Sequence, residues 1–500
     1  MAQHTHIIAN PFSSEGVGIE VQIDSNTITS AAACSGHLNP LGLYHPSIAT
    51  RLQQQIDAPN RIAHPYVRRN GRTERIDMAE AVRLMANAAQ GVAPERNAVM
   101  ISGQHPCELI YQLQKFARCG LRTGAVGSFR YMDAHPILNI NKNDIVPLHE
   151  LLRAKHIYVV DDALCAHHPI VQQLLLRLKA NGTPITLISS TSTPSAHADY
   201  ADSMMRTHSP LHLFRALNHH LLTQQMAHGI FVDGLAQGFD RYREQLTSLN
   251  AAQLLEQSGL SADQLQTFAH VLTAIPETVV LLSEHCCTPA TLAEVRNLML
   301  LTEKQAKPSS GLIYLKAECN SQGLFDMGAM PLTGPGGIDL TQPHNVQRLQ
   351  SAWGVEPIPT LQTSLQQHFN SNEIQNLFIF GENSVADTPW LSQNLDSIGF
   401  VCAQSMFENE TTARANLVIP MNMGIEIDGS YASSFRTLQT FRAALPAPNG
   451  WNDYQFAQLL LRTFGVDSPS TPMEILLEAA EFMPTGCQGA GRHYFTWIDA

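Results

Sequence analysis

The chain has 500 residues, 44% of them apolar, and a net charge of −12, with 31 Lys and Arg against 43 Asp and Glu. That length exceeds one ordinary core and predicts two or three domains. The acidic balance, without a Lys/Arg run, excludes nucleic acid as an expected partner, and no apolar run reaches the roughly 20 residues of a membrane span.

The opening "MAQHTHIIANPFSSEG" has no basic region followed by a long apolar stretch, so no secretory signal is expected and the location reads as cytoplasmic. Nine scattered cysteines, with no C-x-x-C, fit reduced thiols better than a disulfide framework. Cys286 and Cys287 are adjacent and cannot complete a tetrahedral metal site without ligands from elsewhere. His208 and His212 are four apart, but Pro210 between them argues against one regular helix carrying both.

In chain order, "GIEVQIDSNTITSAA" alternates apolar and polar residues and predicts a half-buried strand. Pro40, Pro46, Pro59 and Pro65 then punctuate an irregular stretch. A helix follows over "IDMAEAVRLMANAAQG", then the strand "NAVMISG" and the amphipathic helix "PCELIYQLQKFARCGLRTG". The alternation continues with the strand "HIYVVDD", the helix "HPIVQQLLLRLKANG", the strand "TPITLISST" and the helix "SPLHLFRALNHHLLTQQMA". Next come "GLSADQLQTFAHVLTAI", a helix with Ser261 as N-cap, the strand "ETVVLLSE" and the helix "PATLAEVRNLMLLTEKQ". A loose region near 330–372 reads as a crossing between domains, before the strands "NLFIFGE", "GFVCAQS" and "ANLVIP" and the helix "NDYQFAQLLLRTFG". Repeated strand–helix units predict α/β architecture with parallel sheets covered by helices.

Ligands of such sheets bind at loops after the carboxyl ends of strands. Three candidates stand out: "ISGQHPCE", "FGENSVADTPW" and "QSMFENETTAR". There is no G-x-G-x-x-G and no G-x-x-x-x-G-K-S/T, so neither a dinucleotide fingerprint nor a P-loop is supported.

The ordered set "GLIYLKAECNSQGLFDMGAMP", "LFIFGENSVADTPW", "FVCAQSMFENETTARANLVIP" and "IEIDGSYASSFRTLQTFRAALP" resembles the molybdopterin oxidoreductase superfamily. That family includes formate dehydrogenase catalytic subunits and the large iron–sulfur subunit of respiratory complex I. The likeness covers almost the whole chain. It implies two Rossmann-like parallel-sheet domains after a small β-rich segment at 1–75: one discontinuous, 76–140 plus 345–500, and one inserted, 141–344. It also implies a cleft for a pterin-dinucleotide cofactor. Asn320, Gln322, Gly323 and Asp326 stand where family members line that cleft, with Glu382, Asn383, Thr411 and Thr412 in the flanking loops.

The departures from the pattern are specific. The family's opening C-x-x-C-x-x-x-C, which holds a 4Fe–4S cluster, is replaced by "NPFSSEGVGIEVQ", and Cys34 alone cannot hold a cubane, so no such cluster is expected. Asp133, in "VGSFRYMDAHP", stands at or near the molybdenum or tungsten ligand position. It reads either as a metal ligand or as a capping or solvent-facing Asp. The phosphate loop appears as "DDALCAHHP", with two carboxylates where a pyrophosphate would approach. The chain also stops at Ala500, where many members continue into a barrel domain.

The first reading is therefore a cofactor-free subunit with a structural or assembly role. It would serve a multi-subunit NADH- or hydrogen-linked electron-transfer complex, with iron–sulfur and flavin or hydrogenase subunits as partners and any membrane contact made through them. The alternative is an active formate dehydrogenase-like subunit carrying molybdopterin guanine dinucleotide with Mo or W on Asp133. Its catalytic His and Arg could only be His135 and Arg130. A third reading is a non-redox module using the interdomain cleft for a different nucleotide.

Overall fold

Ser25 and Asn26, at φ 51° and 66°, turn the chain between two strands where the alternating pattern predicts one. Gly18–Asp24 pairs antiparallel with Thr27–Ala33 on one side and with His4–Ala9 on the other. A computed structural model describes residues 4–69, 71–132, 136–139, 145–191, 198–227, 239–305, 307–371, 373–483 and 497–498. The proline-punctuated stretch also holds a helix, Ser47–Ile56, with Pro46 at its N-cap.

A five-stranded sheet runs in the order Ser203–Arg206, Ile185–Ser189, His156–Val160, Thr278–Ser283, Gly311–Leu315, every pair parallel. Ile185–Ser189, Thr278–Ser283 and Gly311–Leu315 are buried throughout, as continuous apolar strands covered on both faces must be. Around them lie the helices Pro169–Ala180, Pro210–Thr223, Ala262–Ala274 and Pro289–Leu301. Ser261 caps its helix with a full capping box. Pro210 is the first residue of its helix, behind Ser209 as N-cap, so His212 is helical and His208 is not.

The seven-stranded sheet is built from both ends of the chain. Its parallel part is Val126–Gly127, Asn97–Ile101, Asn376–Phe380, Phe400–Ser405 and Leu417–Pro420. A hairpin, Tyr66–Arg69 with Arg72–Arg75, adds an antiparallel edge beside Leu417–Pro420. Gly429–Ala432 and Leu438–Phe441 pair antiparallel, with Trp497–Ile498 parallel to the latter.

Chain order reverses inside each parallel sheet. In the first the switch lies between His156–Val160 and Thr278–Ser283; in the second it lies between Asn97–Ile101 and Asn376–Phe380. At such points the loops diverge and leave a crevice beyond the carboxyl ends of the strands. The two sheets meet at these ends, where the Tyr131 hydroxyl, beyond Val126–Gly127, donates to Glu284, beyond Thr278–Ser283, at 2.9 Å.

The helix Cys107–Lys115 is buried at every residue, although its sequence is amphipathic. Its polar side is covered by distant chain. Lys115 pairs with Glu478 at 2.7 Å, and Glu108 accepts from the Ser430 N–H and hydroxyl at 3.0 and 2.7 Å. The next turn, Phe116–Gly120, widens to π geometry. There the fully buried Arg118 donates to the carbonyls of Met330, Thr333 and Pro359 at 2.5, 3.2 and 2.6 Å, pinning the crossing region.

Candidate functional site

At the switch point of the seven-stranded sheet a cavity of about 670 Å³ opens, lined in part by Gln104, Arg130, Glu318, Glu382, Asn383 and Asp387. Glu318, just beyond the strand Gly311–Leu315, accepts from the Ser102 hydroxyl at 3.0 Å and the Gly103 N–H at 2.9 Å. Gly103 is required for this approach, because a Cβ there would lie 2.8 Å from the Glu318 carboxylate and from the Ser321 backbone. Glu382 accepts from the Ser128 hydroxyl and the Phe129 N–H. Burial, with Glu318 nearby, pushes its pKa up to about 8. Burial likewise raises Glu318, against the pull of Arg130.

Arg130 makes no ion pair or side-chain hydrogen bond among the described residues. Burial disfavours its charge, but Glu318, Tyr131, Glu284 and Asp387 together raise its pKa. Three carboxylates and one guanidinium therefore set the polarity of the cavity.

The residues singled out from sequence fall in two groups. Glu382 and Asn383 line the cavity. Asn383 clasps the neighbouring loop, donating to Glu410 at 2.7 Å and accepting from the Thr411 N–H and hydroxyl at 3.2 and 3.0 Å. Thr412 closes a capping box with Asn409.

Asn320, Gln322, Gly323 and Asp326 lie buried behind it. Asn320 donates to the His105 carbonyl and accepts from the Ala432 N–H, both at 2.7 Å, tying three segments together. Gly323 makes room for it, since a Cβ there would sit 2.3 Å from its side-chain oxygen. Gln322 donates to Asp326 at 3.0 Å, and Asp326 also accepts from Arg436. Asp133 and His135 lie outside the described residues.

The NPFSSEG segment, where the resemblance leads one to expect a cluster-binding motif, is a buried loop. Ser13, Ser14 and Glu15 are at most 2% exposed. The Ser14 hydroxyl donates to the Lys316 carbonyl at 2.7 Å, and its own carbonyl accepts from the Ser434 N–H at 2.8 Å. Glu15 and His168, both fully buried, stand 3.4 Å apart. Cys34 is buried, and its thiol is pushed up to about 11.

At the other switch point the DDALCAHHP loop places Asp161 under His167. Asp161 accepts from the Ala163 N–H at 2.7 Å and lies 3.2 Å from His167 Nδ1. Burial opposes its charge, but these bonds outweigh it and its pKa falls. His167 stacks on His285, centroids 3.9 Å apart. Among the described residues no group of three or more His, Cys, Asp or Glu is arranged to hold a metal ion.

Glu318 was not singled out by sequence reasoning; Ser102 was included only through the ISGQHPCE loop, and Arg130 only as the catalytic Arg of the alternative reading. The signal for Glu318 is a charged residue immediately after an apolar strand, which is common enough to carry little information alone.

Two parallel sheets, joined at their carboxyl ends around a polar cleft, define a class of α/β proteins with the ligand site between sheets. A family model for molybdopterin oxidoreductase matches residues 61–454, and the chain belongs to that family. It is formate dehydrogenase-like. The F420-dependent formate dehydrogenase 2 subunit alpha of Methanococcus maripaludis is 22% identical over 498 residues, covering 95% of this chain and 73% of that protein. Formate dehydrogenase H of Escherichia coli is 23% identical over 464 residues, covering 87% and 64%. In fold the chain is similar to acetylene hydratase from Pelobacter acetylenicus, with a TM-score of 0.69 at 13% sequence identity over 92% of this chain and 69% of that one. No helix among the described residues is long and apolar enough to cross a membrane.

Proposed function

We propose that this chain is a cofactor-free member of its family, acting as a structural or assembly subunit of a multi-subunit NADH- or hydrogen-linked electron-transfer complex. The observation that carries this reading is charge. Both crevices present carboxylates, Asp161 at one and Glu318 at the other, where the phosphates of a pterin dinucleotide would need donors. Like charge near an anion is destabilising. The residues present therefore do not fit that group.

The retained family residues support the same reading, because they are engaged with one another. Asn320 is used up by His105 and Ala432, and Asp326 by Gln322 and Arg436. The N-terminal loop, where the resemblance expects cluster thiolates, carries buried serine and glutamate. A scaffold of this kind needs redox partners, and iron–sulfur and flavin or hydrogenase subunits are the expected ones.

The test is purification through a tag on this chain. Partner subunits should co-elute in fixed ratio and carry the turnover, while the isolated chain should not reduce a dye with formate. Formate-dependent dye reduction by the isolated chain would overturn the proposal.

A further inference from the structure

The hairpin at the edge of the seven-stranded sheet runs against the charge of the chain. Its sequence, "YVRRNGRTER", carries four arginines and one glutamate in a chain of net charge −12. Glu74 and Glu80 both pair with Arg69, at 3.6 and 3.4 Å, and Glu80 also meets Arg83 at 3.5 Å. Asp77 accepts from the Glu80 N–H at 2.7 Å as N-cap of the helix Met78–Gln90. The nearby carboxylates are thus engaged, whereas Arg72 and Arg75 are exposed and form no ion pair among the described residues.

The strand that carries them, Arg72–Arg75, is the last of its sheet and is exposed at every residue. The Ile76 N–H donates inward to the Pro65 carbonyl at 3.1 Å. Alternation along an antiparallel strand therefore turns the main-chain groups of Thr73 and Arg75 outward, where no described strand pairs with them. Beside this edge lies a hollow of about 670 Å³, lined in part by Pro65, Arg75, Met78, Pro420 and Trp451. Trp451 is 41% exposed, so a large ring stands open next to an unpaired guanidinium. Trp and Arg are among the side chains that dominate binding between proteins.

We propose that this edge docks an acidic, extended segment of a partner subunit, which adds to Arg72–Arg75 as a further strand. Its carboxylates meet Arg72 and Arg75, and an apolar side chain packs on Trp451. The inference rests on the reading that the chain works within a multi-subunit complex. In strand addition the main-chain bonds give affinity and the side-chain pockets give specificity. Charge selects the occupant. A second copy of this chain would bring its own arginines against these, and like charges opposed across a strand pair are destabilising. Charged edges guard against self-pairing in this way, but they attract a segment of opposite sign. Nucleic acid is disfavoured because Glu74, Asp77 and Glu80 interrupt the positive charge.

The probe is a short peptide alternating glutamate with valine, titrated into the full chain. Its lysine counterpart and a single-stranded oligouridylate serve as controls. The acidic peptide should bind with a Kd below about 100 μM, more weakly as salt is raised. Arg75→Glu should weaken it about tenfold and Trp451→Ala by a few-fold, at unchanged melting temperature. In the native complex, a photoactivatable cross-linker in place of Thr73 should join this chain to a segment of a co-eluting subunit rich in Asp and Glu. No peptide binding up to about 2 mM, equal binding in Arg75→Glu, or tighter binding of the oligouridylate would each overturn the proposal. So would cross-links made only to a second copy of this chain. A chain that elutes without partners defeats the multi-subunit reading, and the peptide titration still decides this inference. Partners that co-elute undiminished with Arg75→Glu, and give no cross-link at position 73, defeat only this inference.

Discussion

Arg436 Nη1 lies 2.8 and 3.0 Å from the two carboxylate oxygens of Asp326, with the side chains 3% and 0% exposed. Gln322 donates to the same carboxylate at 3.0 Å. Residues far apart in sequence are thus joined into one buried polar network. Removing one partner strands a buried charge, which costs roughly 3–5 kcal/mol. Arg436→Met should therefore lower unfolding free energy by about that amount in urea titration, and Asp326→Leu added to it should recover much of the loss. A neutral single variant would contradict the assignment.

Gly323 and Asn320 make a second coupled pair. A methyl at 323 would sit 2.3 Å from Asn320 Oδ1, so Gly323→Ala should destabilise by about 1–3 kcal/mol. Asn320→Ala should cost roughly 1–3 kcal/mol for each buried group left unpaired, the His105 carbonyl and the Ala432 N–H. Because both act on one space, the double variant should be less destabilised than the sum, as a double-mutant cycle would read.

Much of this arrangement was legible in local pattern, and the rest depended on distant chain. Apolar runs ending in Gly or Ser marked Asn97–Ile101 and Asn376–Phe380, because a strand buried on both faces needs nothing but its own residues to declare itself. The loops after them therefore fell where a crevice forms. The helix Cys107–Lys115 read as amphipathic because nothing local reveals that Glu478, Ser430 and Ser468 cover its polar side. The helix Ser47–Ile56 was hidden behind Pro46, which reads as a breaker but stands at its start. Glu318 gained meaning only when the second sheet brought Ser102 and Gly103 to it.

Buried carboxylates give the fold a pH dependence of definite sign. Burial raises Glu108 from 4.5 to about 7 and Asp453 from 3.8 to about 7. Above roughly pH 4 the unfolded chain releases protons that the folded chain retains. Each contribution is therefore full below that pH and is lost as pH rises through 7. The loss is on the order of 3 kcal/mol per group. Stability from urea midpoints should fall between pH 5 and 8, and Glu108→Gln and Asp453→Asn should each flatten that slope. An unchanged slope in both variants would refute the account.

The N-terminal loop should be as important to folding as the sheets. Gly16 adopts φ +65°, and a Cβ there would lie 2.6 Å from Ser433 Cβ. Gly16→Ala should cost about 2–4 kcal/mol through left-handed strain and overpacking. Native-state proteolysis should then show residues 10–17 opening first. Wild-type resistance in that variant would show that the loop is dispensable.

The central claim is that this chain keeps its family's two-sheet architecture without its metallopterin. The direct measurement is molybdenum and tungsten by mass spectrometry on the native complex, together with fluorescence of oxidised pterin, each expressed per copy of this chain. The account predicts that neither metal nor pterin accompanies this chain in a complex that still turns over. One metal with pterin per chain would contradict it.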